Sequence, residues 1–390
     1  MTGARACPAG AQHDPDYRAA ILRRHGADAG TLAELLAYTA SAFSRPDVMP
    51  ADYPLPDERF VAAWERYAAS AAERGVVPVL REALVQLRFP IVEGISQTEA
   101  YRAATQRGAG PTEGAVHPGL AFVAPDRIEL LLYPTPAGRI PVIIARERAD
   151  FETLVRALTR KNEPAPVPPS MGACIVGGYN NWERVARLRE AWQAEVAEPS
   201  EAAWAEEFRA LVPRKEMYQD RFILLSAGPY SAVPGVALGL SATAWAERSL
   251  VLRLEHECAH YFTRRVFQSM RNVLLDELLA DFMGIVAVRG RYSAGWFLHF
   301  LGLEQYPQCR AGGRMENYRG SPPLSAAALD VLSSLVRAAA FNLERLDLER
   351  SAPAWGLVEK GRTLATLTEM SLEALGDPAM VTRVWKTALG

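Results

Sequence analysis

The spacing of apolar residues along the chain predicts helices first and strands afterwards. Residues 14–90 show helical periodicity that Gly and Pro interrupt, and a capping box from Ser96 to Glu99 predicts a further short helix. Two shorter apolar runs, at 127–133 and 139–145, flank a turn that contains Pro and Gly. This arrangement is typical of a β-hairpin.

The middle of the chain is expected to combine helices with further strands. Gly177-Gly178 stands between an apolar run and a helical pattern, and we expect a tight turn there. The remaining elements predicted in this part are helices at 150–161 and 182–195 and strands at 171–176, 221–226 and 234–241.

Three regions are predicted from these patterns. A segment rich in Gly and Pro at 107–118 ends an N-terminal helical region, which covers residues 1–118. An α+β region with substrate-side strands follows at 119–242, and a second helical region occupies 243–390. The predicted fold class is therefore α+β, with a mixed β-containing half, a helical half after it and an extra helical region before it.

An uninterrupted helix is predicted from Ala244 to Phe262. This stretch contains no Gly or Pro, and either Ser241 or Thr243 can cap its start. Arg264 and Arg265 follow it and supply the positive charge that is favourable at a helix C-terminus.

This helix carries the sequence His256-Glu257-Cys258-Ala259-His260. Residues four apart lie on one face of a helix, with Cβ atoms about 5–6 Å apart, so both imidazoles can bind one ion. Zinc lies about 2.0–2.1 Å from such ring nitrogens, and a catalytic zinc site has three protein ligands and a water. Glu257 projects to the side of the histidine face, where it can take a proton from that water.

The next predicted helix, at 272–289, is apolar on nearly every face, which is typical of a buried helix. Three acids interrupt it: Asp276, Glu277 and Asp281. Buried acids are rare unless they are paired or bind a cation. Because Glu277 and Asp281 share one face, one of them can bind the metal while the other accepts a hydrogen bond from a ligand histidine.

The combination of His-Glu-x-x-His with a downstream Glu-x-x-x-Asp resembles the gluzincin branch of the zincin metallopeptidases, the thermolysin-like arrangement. The resemblance covers about residues 220–290, and it implies a zincin-like fold and Zn²⁺ as the cofactor. The residues to which it gives roles are the zinc ligands His256, His260 and Glu277, the general base Glu257, and Asp281 as the partner of His256.

Two details of this resemblance concern positions. Sixteen residues lie between His260 and Glu277, slightly fewer than is typical of the family, so Asp276 and Asp281 stay open as alternative ligands. Zincins also place an edge strand beside the metal, where an extended substrate can pair with it. By resemblance, one of the predicted strands at 221–226 and 234–241 is the candidate for this edge strand. The metzincin branch is excluded because no His-x-x-Gly-x-x-His continuation starts at His260.

The composition of the 390 residues excludes several classes of function. Hydrophobic residues make up 49% and charged residues 23%, and the net charge of -2 gives no basic excess for nucleic acid. No apolar run is long enough for a membrane span, and residues 1–10 lack the apolar segment of a secretory signal, so we expect a cytoplasmic protein. Cys7, Cys174, Cys258 and Cys309 form no Cys-x-x-Cys pair and are expected to be reduced thiols.

The sequence therefore predicts a zinc metallopeptidase, a hydrolase that cleaves a peptide or small amide bond with zinc-activated water and Glu257 as the base. Two alternatives stay open: a selective amidohydrolase or peptide-tailoring enzyme of a biosynthetic pathway, and a non-catalytic binding protein with a degenerate zincin fold. The candidates for a group that stabilises the oxyanion are Tyr292, His299, Tyr306, Tyr318 and Arg319.

Overall fold

The computed structural model describes residues 14–40, 43, 46, 48–109, 119–268, 274–350 and 355–389. In chain order, the α-helices of these residues are α1 (Pro15–Arg24), α2 (Ala29–Tyr38), α3 (Val61–Arg74), α4 (Val76–Ala83), α5 (Glu99–Arg107), α6 (Arg148–Thr159), α7 (Trp182–Glu195), α8 (Glu201–Leu211), α9 (Ala242–Phe267), α10 (Leu274–Arg289), α11 (Ala294–Leu301), α12 (Ala326–Glu349), α13 (Leu357–Thr368), α14 (Leu372–Gly376) and α15 (Pro378–Leu389). The strands are β1 (Ile128–Tyr133), β2 (Ile140–Ala145), β3 (Ala173–Asn180) and β4 (Gln219–Ser226). The predicted α+β class is confirmed: a mixed sheet in the middle follows N-terminal helices and precedes a helical half.

The chain forms two compact units. Met1–Leu55 and Pro229–Gly390 make one, here called the helical unit, and Pro56–Gly228 makes the other, here called the sheet unit. These units divide the chain differently from the three regions expected from the sequence. The first two helices belong with the C-terminal ones, since Arg18 of α1 donates from Nε to Glu373 Oε1 of α14 at 3.0 Å.

The sheet unit is built on a four-stranded sheet with the order β1-β2-β4-β3. The first two strands form the predicted antiparallel hairpin, β2 and β4 are parallel, and β3 is antiparallel to β4. Of the two interior strands, β2 is apolar and buried along its whole length, and β4 is apolar and buried at residues 222–225. Trp64 of α3 packs on Phe222 of β4, with the ring centroids 4.9 Å apart.

Two local predictions in the sheet unit are wrong. Gly177-Gly178 lies inside β3 and makes no turn between strand and helix: Gly178 has a φ of +70°, and the strand register shifts between Gly177 and Tyr179. A residue without Cβ adopts this conformation without strain, which is why a bulge forms there. The helix predicted to begin at Ser96 is capped instead by the side chain of Thr98.

The strand predicted at 234–241 is also wrong, because Gly235–Leu238 forms a 3-10 turn. The turn packs closely on α9, since a Cβ on Gly235 would lie 2.9 Å from Trp245 Cβ. The other candidate for the edge strand beside a metal is β4, and it has partners on both sides. Neither of these two segments, which the structure describes in full, therefore offers a free edge for substrate pairing.

One described helix, α12, is long and apolar enough by length and composition to cross a membrane. Of its most apolar window, 56% is buried inside the structure. The core helix of a globular protein has the same properties, so this is weak evidence for a span.

Candidate metal centre

Helix α9 carries both motif histidines on a long, regular stretch. Ser241 is its N-cap, with the side-chain oxygen accepting a hydrogen bond from Ala244 N at 3.2 Å. The helix continues to Phe267, further than predicted, and ends where Gln268 adopts a φ of +53°. His256 and His260 are both buried on it.

Helix α10 runs antiparallel to α9 and packs against it at very short range. At the position of Gly284, a Cβ would lie 2.7 Å from the carbonyl oxygen of Leu252, so only glycine permits this approach. The acids of α10 then lie beside the histidines in reverse order, with Asp281 next to His256 and Asp276 next to His260. The close packing therefore fixes the distance between the two sets of side chains.

Two histidines and one glutamate converge on a single point. His256 Nε2 lies 3.1 Å from His260 Nε2, and these nitrogens are 3.6 and 3.7 Å from the Oε2 and Oε1 atoms of Glu277, respectively. Ligands bound to zinc at about 2.0–2.1 Å in a tetrahedron are about 3.3–3.4 Å apart. The three side chains therefore have the spacing of a metal-binding group.

The other ring nitrogens explain why this group suits a cation. His256 Nδ1 is 2.9 Å from Asp281 Oδ1, and His260 Nδ1 is 2.9 Å from Asp276 Oδ2. Ionised carboxylates only accept hydrogen bonds, so each Nδ1 is the donor, and each Nε2 presents a lone pair when its ring is neutral. Two lone pairs 3.1 Å apart repel each other unless a proton or a metal ion lies between them. The donor set therefore fits a metal.

Asp276, one of the alternative ligands that the sequence allows, lies outside the triad. It is 1% exposed and contacts Nδ1 of His260, on the side of the ring away from Glu277. Within the described residues its Oδ1 has no hydrogen-bond partner. Asp281 lies in the same way at His256, as the resemblance implied, so the two histidines have equivalent carboxylate partners.

Tyr230 and Arg314 complete the surroundings of Asp281, and the sequence did not predict either. The Tyr230 hydroxyl donates to Asp281 Oδ1 at 2.5 Å, and Arg314 donates from Nη1 to the Tyr230 oxygen at 2.7 Å. Arg314 Nη2 also pairs with Asp281 Oδ2. Both residues lie outside α9 and α10, so helical spacing gives no signal for them.

The charges around the triad keep Glu277 and the neighbouring Asp281 ionised. Burial acts to raise the pKa of Glu277, but His260, His256 and Arg314 hold it below its usual range. Burial acts in the same direction on Asp281, and Arg314 and His256 outweigh it, so the pKa of this carboxyl is also lowered. An ionised Glu277 can bind a cation, and an ionised Asp281 can accept from His256.

A proton is strongly held at His260 when no metal is bound. Burial acts to lower the pKa of this imidazole, but Asp276, followed by Glu277 and Glu257, raises it to about 10. A cation between the two Nε2 atoms would replace this proton, because a metal needs the neutral ring.

Glu257 is half-buried on α9, beside the histidine face. It makes no hydrogen bond or ion pair with any residue that the structure describes, yet its charge contributes to the raised pKa of His260. Glu257 therefore lies within electrostatic range of the triad, and the described residues do not hold its carboxylate.

Of the five candidates for an oxyanion donor, the structure brings Tyr318 to the triad. Its hydroxyl donates to Glu277 Oε2 at 3.0 Å, and its carbonyl oxygen accepts from the hydroxyl of Tyr38 in α2 at 2.6 Å. The described part of the chain shows no hydrogen bond from Tyr292, His299, Tyr306 or Arg319 to the triad. Cys258 is buried, and burial raises the pKa of its thiol, so it packs in the core.

The fold and this site define a class: an α+β protein with a candidate mononuclear metal centre made of two histidines and one glutamate. A family model described as "Family of unknown function (DUF7005)" matches residues 20–379, so the chain belongs to this family. No curated protein and no solved structure matches the chain. The resemblance to gluzincins thus depends on the metal centre alone.

Proposed function

We propose that the protein is a zinc-dependent hydrolase that cleaves a peptide or amide bond. The observation that carries this proposal is the convergence of His256 Nε2 and His260 Nε2 at 3.1 Å beside Glu277, while both Nδ1 atoms are engaged by buried aspartates. Because each ring donates its Nδ1–H to an aspartate, the neutral forms of both rings present Nε2 to one point, which is the arrangement that a metal ion needs.

His256, His260 and Glu277 would hold the ion. Two imidazoles and one carboxylate are a known ligand set of catalytic zinc, and three protein ligands leave a position open. When bound there, zinc lowers the pKa of a water toward about 7 and polarises a carbonyl.

Glu257 is the proposed general base. It takes one proton from the attacking water as the new C–O bond forms, and it gives that proton to the leaving nitrogen as the C–N bond breaks. Arg314 and Tyr230 act through Asp281, which fixes the orientation of the His256 ring. Tyr318 holds the carboxylate of Glu277 through its hydroxyl.

The selective alternative, an amidohydrolase or peptide-tailoring enzyme, is favoured over a general peptidase by two observations. The side chains of His256, His260 and Glu277 are only 8%, 9% and 12% exposed. The segment at 234–241 forms a turn and not a strand that could bind an extended peptide. A short peptide or small amide in the cytoplasm is the substrate that we propose.

The test combines metal analysis with activity in three proteins. Wild type, Glu257→Gln and Glu247→Gln should each contain about one zinc per chain. Glu247 is an exposed acid on the same helix and provides the matched control. Hydrolysis of a library of short peptides and amides should fall by about 10²–10⁴-fold in Glu257→Gln and remain in Glu247→Gln.

Each other outcome of this test has a definite meaning. Hydrolysis that survives in Glu257→Gln would show that another group is the base. Zinc in wild type without any hydrolysis would support a non-catalytic binding protein. Wild type without zinc would refute the proposal.

A further inference from the structure

A cavity of about 370 Å³ in the sheet unit is lined by four arginines. Arg59 lies just before α3 and Arg66 lies within it, while Arg184 and Arg187 belong to α7. The volume is within the range of about 300–1,000 Å³ that is typical of small-molecule sites.

Helical spacing places these arginines around one space. Positions 62, 63 and 66 share a face of α3, and positions 184, 187 and 188 share a face of α7. Ala62 and Ala63 are small and leave room between the helices, and Leu188 and Met217 add apolar surface. The cavity therefore combines positive charge with an apolar wall.

Neighbouring acids neutralise this positive charge only in part. Arg184 is buried and paired with Asp220, with Nη1 and Oδ1 2.5 Å apart. Glu183 serves both other helix arginines: it pairs with Arg187 Nε, and its Oε2 lies 3.9 Å from Arg66 Nη2.

Arg59 increases this imbalance. It has no hydrogen bond or ion pair with any residue that the structure describes, although it lines the cavity. The three guanidinium groups of Arg59, Arg66 and Arg187 thus have one ion-paired carboxylate among them, that of Glu183. The net charge of this set is about +2.

Two acids close to Arg59 and Arg66 in the sequence pair with other arginines. Glu58 pairs with Arg221 at 2.7 Å, and Glu65 pairs with Arg139 at 2.5 Å. These acids are therefore not available to balance Arg59 and Arg66, and within the described residues no acid lines the cavity itself.

We propose that this cavity binds a small organic phosphomonoester. Such a group carries a charge of about −1.5 to −2 at pH 7, which matches the unbalanced guanidinium groups. Arginine suits it because the guanidinium donates two parallel hydrogen bonds to phosphate oxygens. The apolar wall of Ala62, Leu188 and Met217 receives the organic part of the ligand. This site lies in the sheet unit and does not depend on the proposed hydrolase.

The test is isothermal titration of the full chain with phenyl phosphate, inorganic phosphate and phenylacetate. We expect one phenyl phosphate to bind saturably, with an affinity about tenfold higher than that of inorganic phosphate. Phenylacetate should bind more weakly than phenyl phosphate. Arg59→Gln and Arg66→Gln should each weaken phenyl phosphate about tenfold, and Arg59→Lys should restore part of the loss.

Arg74→Gln is the matched control, because Arg74 also lies on α3 and pairs with Glu82. Its affinity should equal that of wild type. Three results would overturn the proposal: no saturable binding of phenyl phosphate, unchanged affinity in both the Arg59 and the Arg66 variants, or phenyl phosphate binding no tighter than inorganic phosphate.

Discussion

Each of the two units contains a fully buried aspartate that accepts hydrogen bonds from three neighbouring side chains. The two clusters formed by each aspartate and its donors contain similar kinds of polar groups. Both aspartates, Asp220 in the sheet unit and Asp281 in the helical unit, are 0% exposed and pair with an arginine. The donors are Trp64, Asn181 and Arg184 for Asp220, and Tyr230, His256 and Arg314 for Asp281.

The two clusters differ in the groups at which their hydrogen-bond networks end. The donors of Asp220 come from an indole, an amide and a guanidinium, and none of them presents an acceptor toward a shared point. The network of Asp281 continues through the ring of His256 to an Nε2 that faces His260. Burial raises the pKa of Asp220, whereas Arg314 keeps the pKa of Asp281 low against the same effect. A buried ion pair alone thus does not indicate a metal site, whereas converging ligand atoms indicate a candidate one.

The largest effect is expected on stability at Asp220. Asp220→Ala removes one partner of a buried pair and leaves Arg184 without a counter-charge, which costs about 3–5 kcal/mol of unfolding free energy. Urea denaturation measures this loss, with the exposed Asp126→Ala as control. Zinc content per folded chain should not change. A loss of zinc in Asp220→Ala would remove the distinction between the two clusters.

Removing the charge of Asp281 should weaken metal binding. Asp281→Asn keeps the size of the side chain but weakens the hold on the His256 ring, so we expect zinc affinity to fall about 10–100-fold. Competition with a chelator measures it. Asp276→Asn should do the same through His260. Affinities within twofold of wild type in both variants would show that the aspartates do not orient the ligands.

The zinc affinity of this site should depend on pH more steeply than that of a site whose histidine has an ordinary pKa. His260 has a pKa of about 10 in the metal-free protein, so zinc must displace its proton at every pH below that value. Between pH 6 and pH 8 the apparent affinity should therefore rise about tenfold per pH unit. Chelator competition at several pH values tests this. An affinity that levels off above pH 7 would indicate an ordinary pKa.

The smallest effect is expected at Tyr318. Tyr318→Phe removes one hydrogen bond to Glu277 and leaves the ring in place, which should weaken zinc binding about fivefold. The same chelator assay measures it. Tyr292→Phe is the control, because the Tyr292 hydroxyl is buried and has no partner among the described residues. Equal effects of the two changes would argue against a role for Tyr318.

Local spacing in the sequence predicted the helix pair and its residues. The histidines four apart in a stretch without Gly or Pro, and the acids in an otherwise apolar helix, are signals within single elements. The structure brings His256, His260 and Glu277 together as this spacing predicts. Their roles as ligands stay predictions.

The site residues outside those two helices could not be predicted from the sequence. Tyr230 is 26 residues from His256 and Arg314 is 33 from Asp281, and no periodic pattern connects such distant positions. The strand predicted at 234–241 was wrong because an apolar stretch can also pack as a turn, here against Trp245. Tertiary packing decided both cases.

The most direct test of the metal centre is the zinc content of the purified protein after dialysis against zinc and then metal-free buffer. Wild type and His299→Ala, which changes a half-buried histidine of α11, should retain about one zinc per chain. His260→Ala should retain little. Equal zinc in His260→Ala and wild type, or none in wild type, would contradict the account.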